Sequence, residues 1–322
     1  MLRTPLRHSP WLSNVSGGDV FLKIETIQPT HSYKIRGATN AVLKLAERTS
    51  NRPSVVTASA GNHGRAMAHA AAAAGIELTV YAPEHAPRTK IRAIQELGAV
   101  LRLCADYDEA ERQAKAHAAR EGAVFISPYA HPDVIAGAGT AALEILEDLP
   151  DTATIVVAVG GGGLISGTAI ACEASAEAAG VEVEASTPFT TSLKAGRITE
   201  IEVGETLADG LSGNLDPDTP TFDIVRTRVK RIAVVSEDDL AGAMRGVAEY
   251  ERLIIEGAAA AAVAGVASGK LDVRERRAVV VLSGANIDLS SWGRISLWCA
   301  SASPTTRPPP AGRRRRRRRP TP

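Results

Sequence analysis

Short apolar runs alternate with amphipathic stretches along most of the chain. DVFLKIE (19–25), SVVTA (54–58), ELTVYA (77–82), AVLRLC (99–104), AVFIS (123–127), TIVVAV (154–159), VEVEA (181–185) and AVVVLS (278–283) read as strands. Segments 35–49, 64–74, 88–97, 107–121, 139–148, 237–250 and 257–268 read as helices. Strands such as TIVVAV and AVVVLS are apolar at nearly every position, so both of their faces must be covered. Apolar strands separated by helices predict an α/β fold of parallel sheets flanked by helices. The Ala-rich stretches 66–74 and 257–268 read as packing helices, because alanine is the best helix former and its short side chain lets a helix lie close to a sheet.

With 322 residues, 44% of them apolar, the chain has enough material for two medium domains. Its three cysteines, Cys104, Cys172 and Cys299, are widely spaced and form no CxxC pair, which excludes a disulfide framework and a structural zinc site. The N-terminal segment has no signal-peptide core, and no apolar run is long enough for a membrane span. The expectation is a cytoplasmic protein without membrane association. Charge alters this picture at one end. Arg307 and Arg313 to Arg319 lie in a Pro- and Arg-rich tail, and without those eight arginines the formal charge of +1 becomes −7. The tail, residues 301–322, is expected to be disordered. It is either a solvated extension or a nonspecific contact for nucleic acid or another polyanion, with no aromatic residues for base stacking.

Four constellations carry candidate chemistry. Gly160, Gly161, Gly162 and Gly163 follow an apolar strand and precede a helix. Backbone N–H groups there, with a helix N-terminus, suit a phosphate; the alternative is a tight turn without a ligand. The sequence is neither a dinucleotide fingerprint nor a Walker loop. Ser59, Ala60, Gly61, Asn62 and His63 occupy a second strand-to-helix turn, which fits a carboxylate or phosphate or serves as an ordinary helix cap. Ser283, in SGAN, ends the strand AVVVLS, and by itself marks no more than a turn. Lys34, one of eight lysines, stands between Tyr33 and Ile35 at a third junction. Desolvation there would lower its pKa and make it a nucleophile and base, although most lysines are solvated surface groups.

Together these stretches resemble fold-type II pyridoxal-phosphate enzymes, the tryptophan synthase β-like fold, and within them the threonine/serine dehydratases (ammonia-lyases) and serine racemases. The matching stretches are RTPL (3–6), QPTHSYKIRGA (28–38), SAGNHG (59–64), HPDVIAGAGT (131–140), VGGGGLISG (159–167), TLADGLSG (206–213), EGAAAAAV (256–263) and SGAN (283–286). The resemblance implies that Lys34 carries pyridoxal 5'-phosphate as a Schiff base and that Gly160 to Gly163 hold its phosphate. It implies that Asn62 bonds the phenolate oxygen and Ser283 faces the pyridine nitrogen, where a neutral hydroxyl favours elimination over transamination. Ser59, Ala60, Gly61, Asn62 and His63 would bind the substrate carboxylate. The implied reaction is β-elimination, L-threonine to 2-oxobutanoate and ammonia or L-serine to pyruvate.

The segment Lys34-Ile35-Arg36 has the dehydratase and racemase form, not the KDR of cysteine and threonine synthases. Ala60 stands where serine racemases place a second serine, and alanine cannot supply a proton on the far face of Cα. Dehydratase is therefore favoured over racemase. Alternatives are a hydroxyaspartate or ectoine-pathway dehydratase, and a noncatalytic protein of this fold with a polyanion-binding tail. Glu184 to Phe189 lacks the second carboxylate of a related divalent-metal site, so no metal is expected. His31 replaces a usual glycine and is expected to tighten the cofactor pocket. The expected organisation is a large cofactor domain from 1–46 and 133–300, a small substrate-loop domain at 47–132, and a homodimer or homotetramer acting on a small amino acid.

Overall fold

The structure is a computed structural model that describes residues 1–48 and 53–297; Cys299 and the Pro/Arg-rich tail lie outside these residues. In chain order the first elements are β1 (Leu6–His8), α1 (Pro10–Ser16), β2 (Asp19–Ile24), α2 (Lys34–Arg48), β3 (Val55–Ala58), α3 (Asn62–Ala74), β4 (Leu78–Pro83) and α4 (Arg88–Gln95). There follow β5 (Val100–Cys104), α5 (Tyr107–Glu121), β6 (Val124–Phe125), α6 (Pro132–Asp148), β7 (Thr154–Ala158), α7 (Gly163–Cys172), β8 (Glu177–Val183) and α8 (Pro188–Ala195). The last are α9 (Pro220–Arg228), β9 (Arg231–Val235), α10 (Glu237–Gly246), α11 (Gly257–Ala267), β10 (Arg277–Leu282) and α12 (Leu289–Leu297).

The strands form two sheets. One has the order β1-β2-β10-β7-β8-β9, parallel except for the antiparallel pair β1–β2; the other, β5-β4-β3-β6, is wholly parallel. Alternation along the central strands divides the large sheet between two cores. Val156 and Val280 join α10 and α11 on one face, whereas Ile155, Val157, Val279 and Val281 join α6 and α7 on the other. Residues 257–266 of α11 are all buried, and a Cβ on Gly265 would sit 2.7 Å from Val181, so small residues set the distance between helix and sheet. The small sheet has α3 on one face and α5 on the other. The apolar stripe of α2, Ile35, Ala38, Ala41 and Val42, packs into the same core as α3.

Several boundaries differ from the sequence expectation. Helix α6 begins at Pro132 instead of 139, because the His131 ring caps the Asp133 N–H and proline is preorganised at the first helical turn. Helix α10 stops at Gly246 and continues as a π turn, Val247–Glu251. Strand β9 and the short elements β1, α1, α8, α9 and α12 had no sequence counterpart; β1 has only three residues, too few for a period to register. Among the described residues, no helix is long and apolar enough to cross a membrane.

Candidate active site

The expected functional residues all follow the carboxyl ends of parallel strands: Lys34 after β2, Ser59 to His63 after β3, the four glycines after β7, and Ser283 after β10. Open α/β sheets bind ligands at such edges, beyond the strand ends. Backbone contacts tie two of these junctions, those after β2 and β10, to each other and to the start of α11. The Tyr33 N–H donates to the Ser283 carbonyl (2.9 Å), Ser32 bridges Gly284, and the Glu256 N–H donates to the Gly284 carbonyl (3.1 Å).

Lys34 opens α2, and its Nζ donates to the Pro128 carbonyl (2.8 Å). Burial lowers its pKa to about 8, and the Glu256 carboxylate opposes that shift. Glu256 is itself buried and is pushed up to about 7 by desolvation, with Asp209 adding to the rise. Asn62 Nδ2 donates to Glu256 Oε1 (2.7 Å), and Asn62 Oδ1 accepts from Asn286 Nδ2 (2.6 Å). The amide is thus gripped at both ends, and the second hydrogen on Nδ2 is left for a ligand oxygen. Arg65 Nη1 in turn donates to Asn286 Oδ1 (2.8 Å).

The glycine turn leaves α7 with unpartnered donors. No hydrogen bond among the described residues uses the N–H groups of Gly160 to Gly163. Its surroundings explain the composition. A Cβ on Gly161 would lie 2.4 Å from the Tyr129 ring, and one on Gly163 would lie 3.0 Å from the Tyr129 backbone. Gly162 has φ +87°, and a Cβ there would meet Phe189 at 2.5 Å. Tyr129 adjoins Pro128, the acceptor for Lys34, and its hydroxyl accepts the Asp216 N–H (3.1 Å). One short segment therefore touches both the lysine and the glycine turn.

At the start of α3 the N–H groups of Asn62 and His63 have no partner among the described residues, and Ser59 Oγ accepts from the Gly61 N–H (3.2 Å). His63 is buried, and neither ring nitrogen has a hydrogen-bond partner of good geometry. Desolvation, with Lys34 nearby, drives its pKa down to about 3, so the ring is neutral at ordinary pH. Ser283 is buried at the end of β10 and its hydroxyl has no partner among the described residues. These features fit pyridoxal phosphate: a desolvated amine, free N–H donors at a helix start for the phosphate, a fixed amide, and a neutral hydroxyl. His31 departs from the sequence expectation of a tightened pocket. Its side chain is exposed and its φ is +55°, a left-handed conformation that histidine tolerates better than most residues.

Glu256, Tyr129 and Asn286 were not assigned from sequence. Glu256 sits before an Ala-rich helix, where a glutamate ordinarily reads as a favourable charge at a helix start. Tyr129 and Asn286 lie in motif stretches or beside them, but only the fold brings them to the lysine.

The chain is similar to known proteins along most of its length. The model of the family described as pyridoxal-phosphate dependent enzyme matches residues 1–284. The L-threonine ammonia-lyase of Thermotoga maritima is 42% identical over 297 residues, covering 91% of this chain and 73% of that protein. The catabolic L-threonine dehydratase of Escherichia coli is 38% identical over 300 residues, 91% of each chain. Among solved structures, maize serine racemase superposes with a TM-score of 0.85 at 31% identity, covering 93% of this chain and 92% of that one. With its family model matched over nearly all of the described residues, this chain belongs to the pyridoxal-phosphate dependent enzymes.

Proposed function

We propose that the protein is an ammonia-lyase that removes water and ammonia from a β-hydroxy amino acid, L-threonine to 2-oxobutanoate or L-serine to pyruvate. The observation that carries this reading is the meeting, at one carboxyl edge, of the Lys34 amine, the unpartnered N–H groups of the glycine turn and the neutral Ser283 hydroxyl. Relatives named as threonine ammonia-lyase and dehydratase, at 38–42% identity over most of the chain, support the lyase class.

In this reading Gly160 to Gly163 and the start of α7 would hold the cofactor phosphate, Asn62 Nδ2 would bond its phenolate oxygen, and Ser283 Oγ would face its ring nitrogen. When bound, pyridoxal phosphate supplies an electron sink for the pair left by the departing Cα proton. Lys34 Nζ would hold the cofactor, and its amine would serve as the base that takes the Cα proton. A pKa of about 8 keeps a useful fraction of the amine neutral near neutral pH. The N–H groups of Asn62 and His63, with Ser59 to Gly61, hold the substrate carboxylate. The small unit of residues 47–132, with α2 packed against it, would close on the large unit of 1–46 and 133–300 and exclude water. The active form would be a homodimer or homotetramer in the cytoplasm.

Racemisation is the second reading, favoured by the fold likeness to a serine racemase. Ala60 counts against it, because the turn then offers no side-chain acid at the place where racemases carry their second serine. Incubating the enzyme with L-serine in heavy water and following both pyruvate and D-serine separates the two. Pyruvate without D-serine is expected; D-serine formed at a comparable rate would favour the racemase.

A further inference from the structure

Outside the residues assigned so far, Glu182 on β8 is a buried carboxylate without a basic partner among the described residues. It shares the face of β8 that carries Ala178 and Gly180, toward the core of α6 and α7. An apolar side chain would fill that place without desolvating a charge, which is costly unless the charge is well bonded. Glu182 has donors instead: Oε1 accepts the Phe189 N–H (2.7 Å) and Oε2 accepts the Thr190 N–H (2.9 Å). Both donors lie in the first turn of α8, behind Pro188. Burial pushes the carboxyl pKa up, and these bonds pull it back.

What those bonds hold in place lies against the glycine turn. The Phe189 ring, wholly buried, backs Gly162 so closely that a Cβ there would come within 2.5 Å. On the same side, Thr221 Oγ1 donates to the Gly161 carbonyl (2.9 Å), and a Gly162 Cβ would meet the Thr221 Cβ at 2.9 Å. Gly162 is the left-handed residue that turns the chain from β7 into α7, so the direction of the free N–H groups depends on its staying in that conformation.

We propose that Glu182 is a positioning residue for the phosphate cradle, fixing the first turn of α8 so that the Phe189 ring locks Gly162 in place. The proposal rests on reading residues 160–163 as that cradle.

The test uses the apoprotein and two ligands, pyridoxal phosphate and pyridoxal, with affinity read by absorbance and fluorescence titration. Wild type should prefer the phosphorylated ligand; equal affinities would remove the cradle reading and this proposal with it. Glu182→Ala should weaken pyridoxal-phosphate binding about tenfold, the scale of one hydrogen bond to a charged group, and leave pyridoxal within about twofold. Glu182→Gln, which keeps one acceptor but sets an NH2 group against the other donor, should fall between; it decides the matter by the same ratio should the alanine variant not fold. Phe189→Leu should reproduce the loss, and adding Glu182→Ala to it should cost little more. An unchanged preference for the phosphorylated ligand, with only a lower melting temperature, would overturn the proposal. So would full additivity with Phe189→Leu.

Discussion

At Lys34 two influences compete for one proton: burial expels it, and the Glu256 carboxylate retains it, leaving the pKa at about 8 against an ordinary 10.5. The folded apoprotein thus releases the proton before the unfolded chain does. Its stability therefore carries the full penalty of this group below pH 8 and recovers it as pH rises from about 8 to 10.5. Lys34→Met, which keeps most of the stem, should make the apoprotein more resistant to guanidinium than wild type at pH 7, with the gap narrowing by pH 10. A gap independent of pH would show that the amine is not desolvated. Glu256→Gln keeps an acceptor for Asn62 and removes the charge. It should move the pH midpoint for chemical modification of Lys34 below about 8, and a midpoint that rises or stays would contradict the coupling. Lys34 could be singled out in the sequence because its motif surrounds it. Glu256 could not, since its partners Asn62 and Lys34 lie roughly two hundred residues away and only the folded chain makes it part of the site.

The glycine turn was visible as an element because an apolar strand, four glycines and a helix occur in sequence. Its walls were not. Tyr129 and Phe189 come from the segment before α6 and from α8, and neither carries a local sign of what it packs against. Those walls give the turn its intolerance of side chains. Gly161→Ala would drive a methyl group into the Tyr129 ring and should weaken pyridoxal-phosphate binding by about tenfold or more, since packed interiors absorb added volume poorly. Combining it with Tyr129→Ala should restore part of the affinity. No restoration would mean that the alanine acts through the turn's own backbone. The short helices α8 and α9 escaped sequence reading for a related reason: proline at the first helical turn, with Thr219 capping α9, defines them over eight or nine residues, too few to establish a period.

Across the whole molecule, ion pairs link helices of the small sheet to the segment between α8 and α9. Lys90 on α4 pairs with Asp209 (2.5 Å), and Lys115 on α5 stands between Glu111 (2.6 Å) and Asp216 (3.9 Å). Both reach from helices of the small sheet to the segment between α8 and α9, which also carries the backbone donor to Tyr129. The two-sheet α/β plan was legible because apolar strands and helices alternate, and the strand order was not, because pairing β2 with β10 joins residues some 250 positions apart. The arginines beyond residue 302 lie outside the described residues. Deleting residues 302–322 should leave kcat/KM unchanged and reduce retention on heparin; a fall in turnover would give the tail a part in catalysis. The central claim is that Lys34 serves a β-eliminating enzyme, and 2-oxo acid release by the cofactor-reconstituted protein tests it most directly. L-threonine, L-serine and threo-3-hydroxyaspartate would be compared, with Lys34→Ala as the control. The account predicts 2-oxo acid from threonine or serine, with both turnover and the absorbance of the lysine-bound cofactor lost in the variant. Absence of product from all three substrates, while wild type still carries that absorbance, would leave the cofactor in place and contradict the lyase.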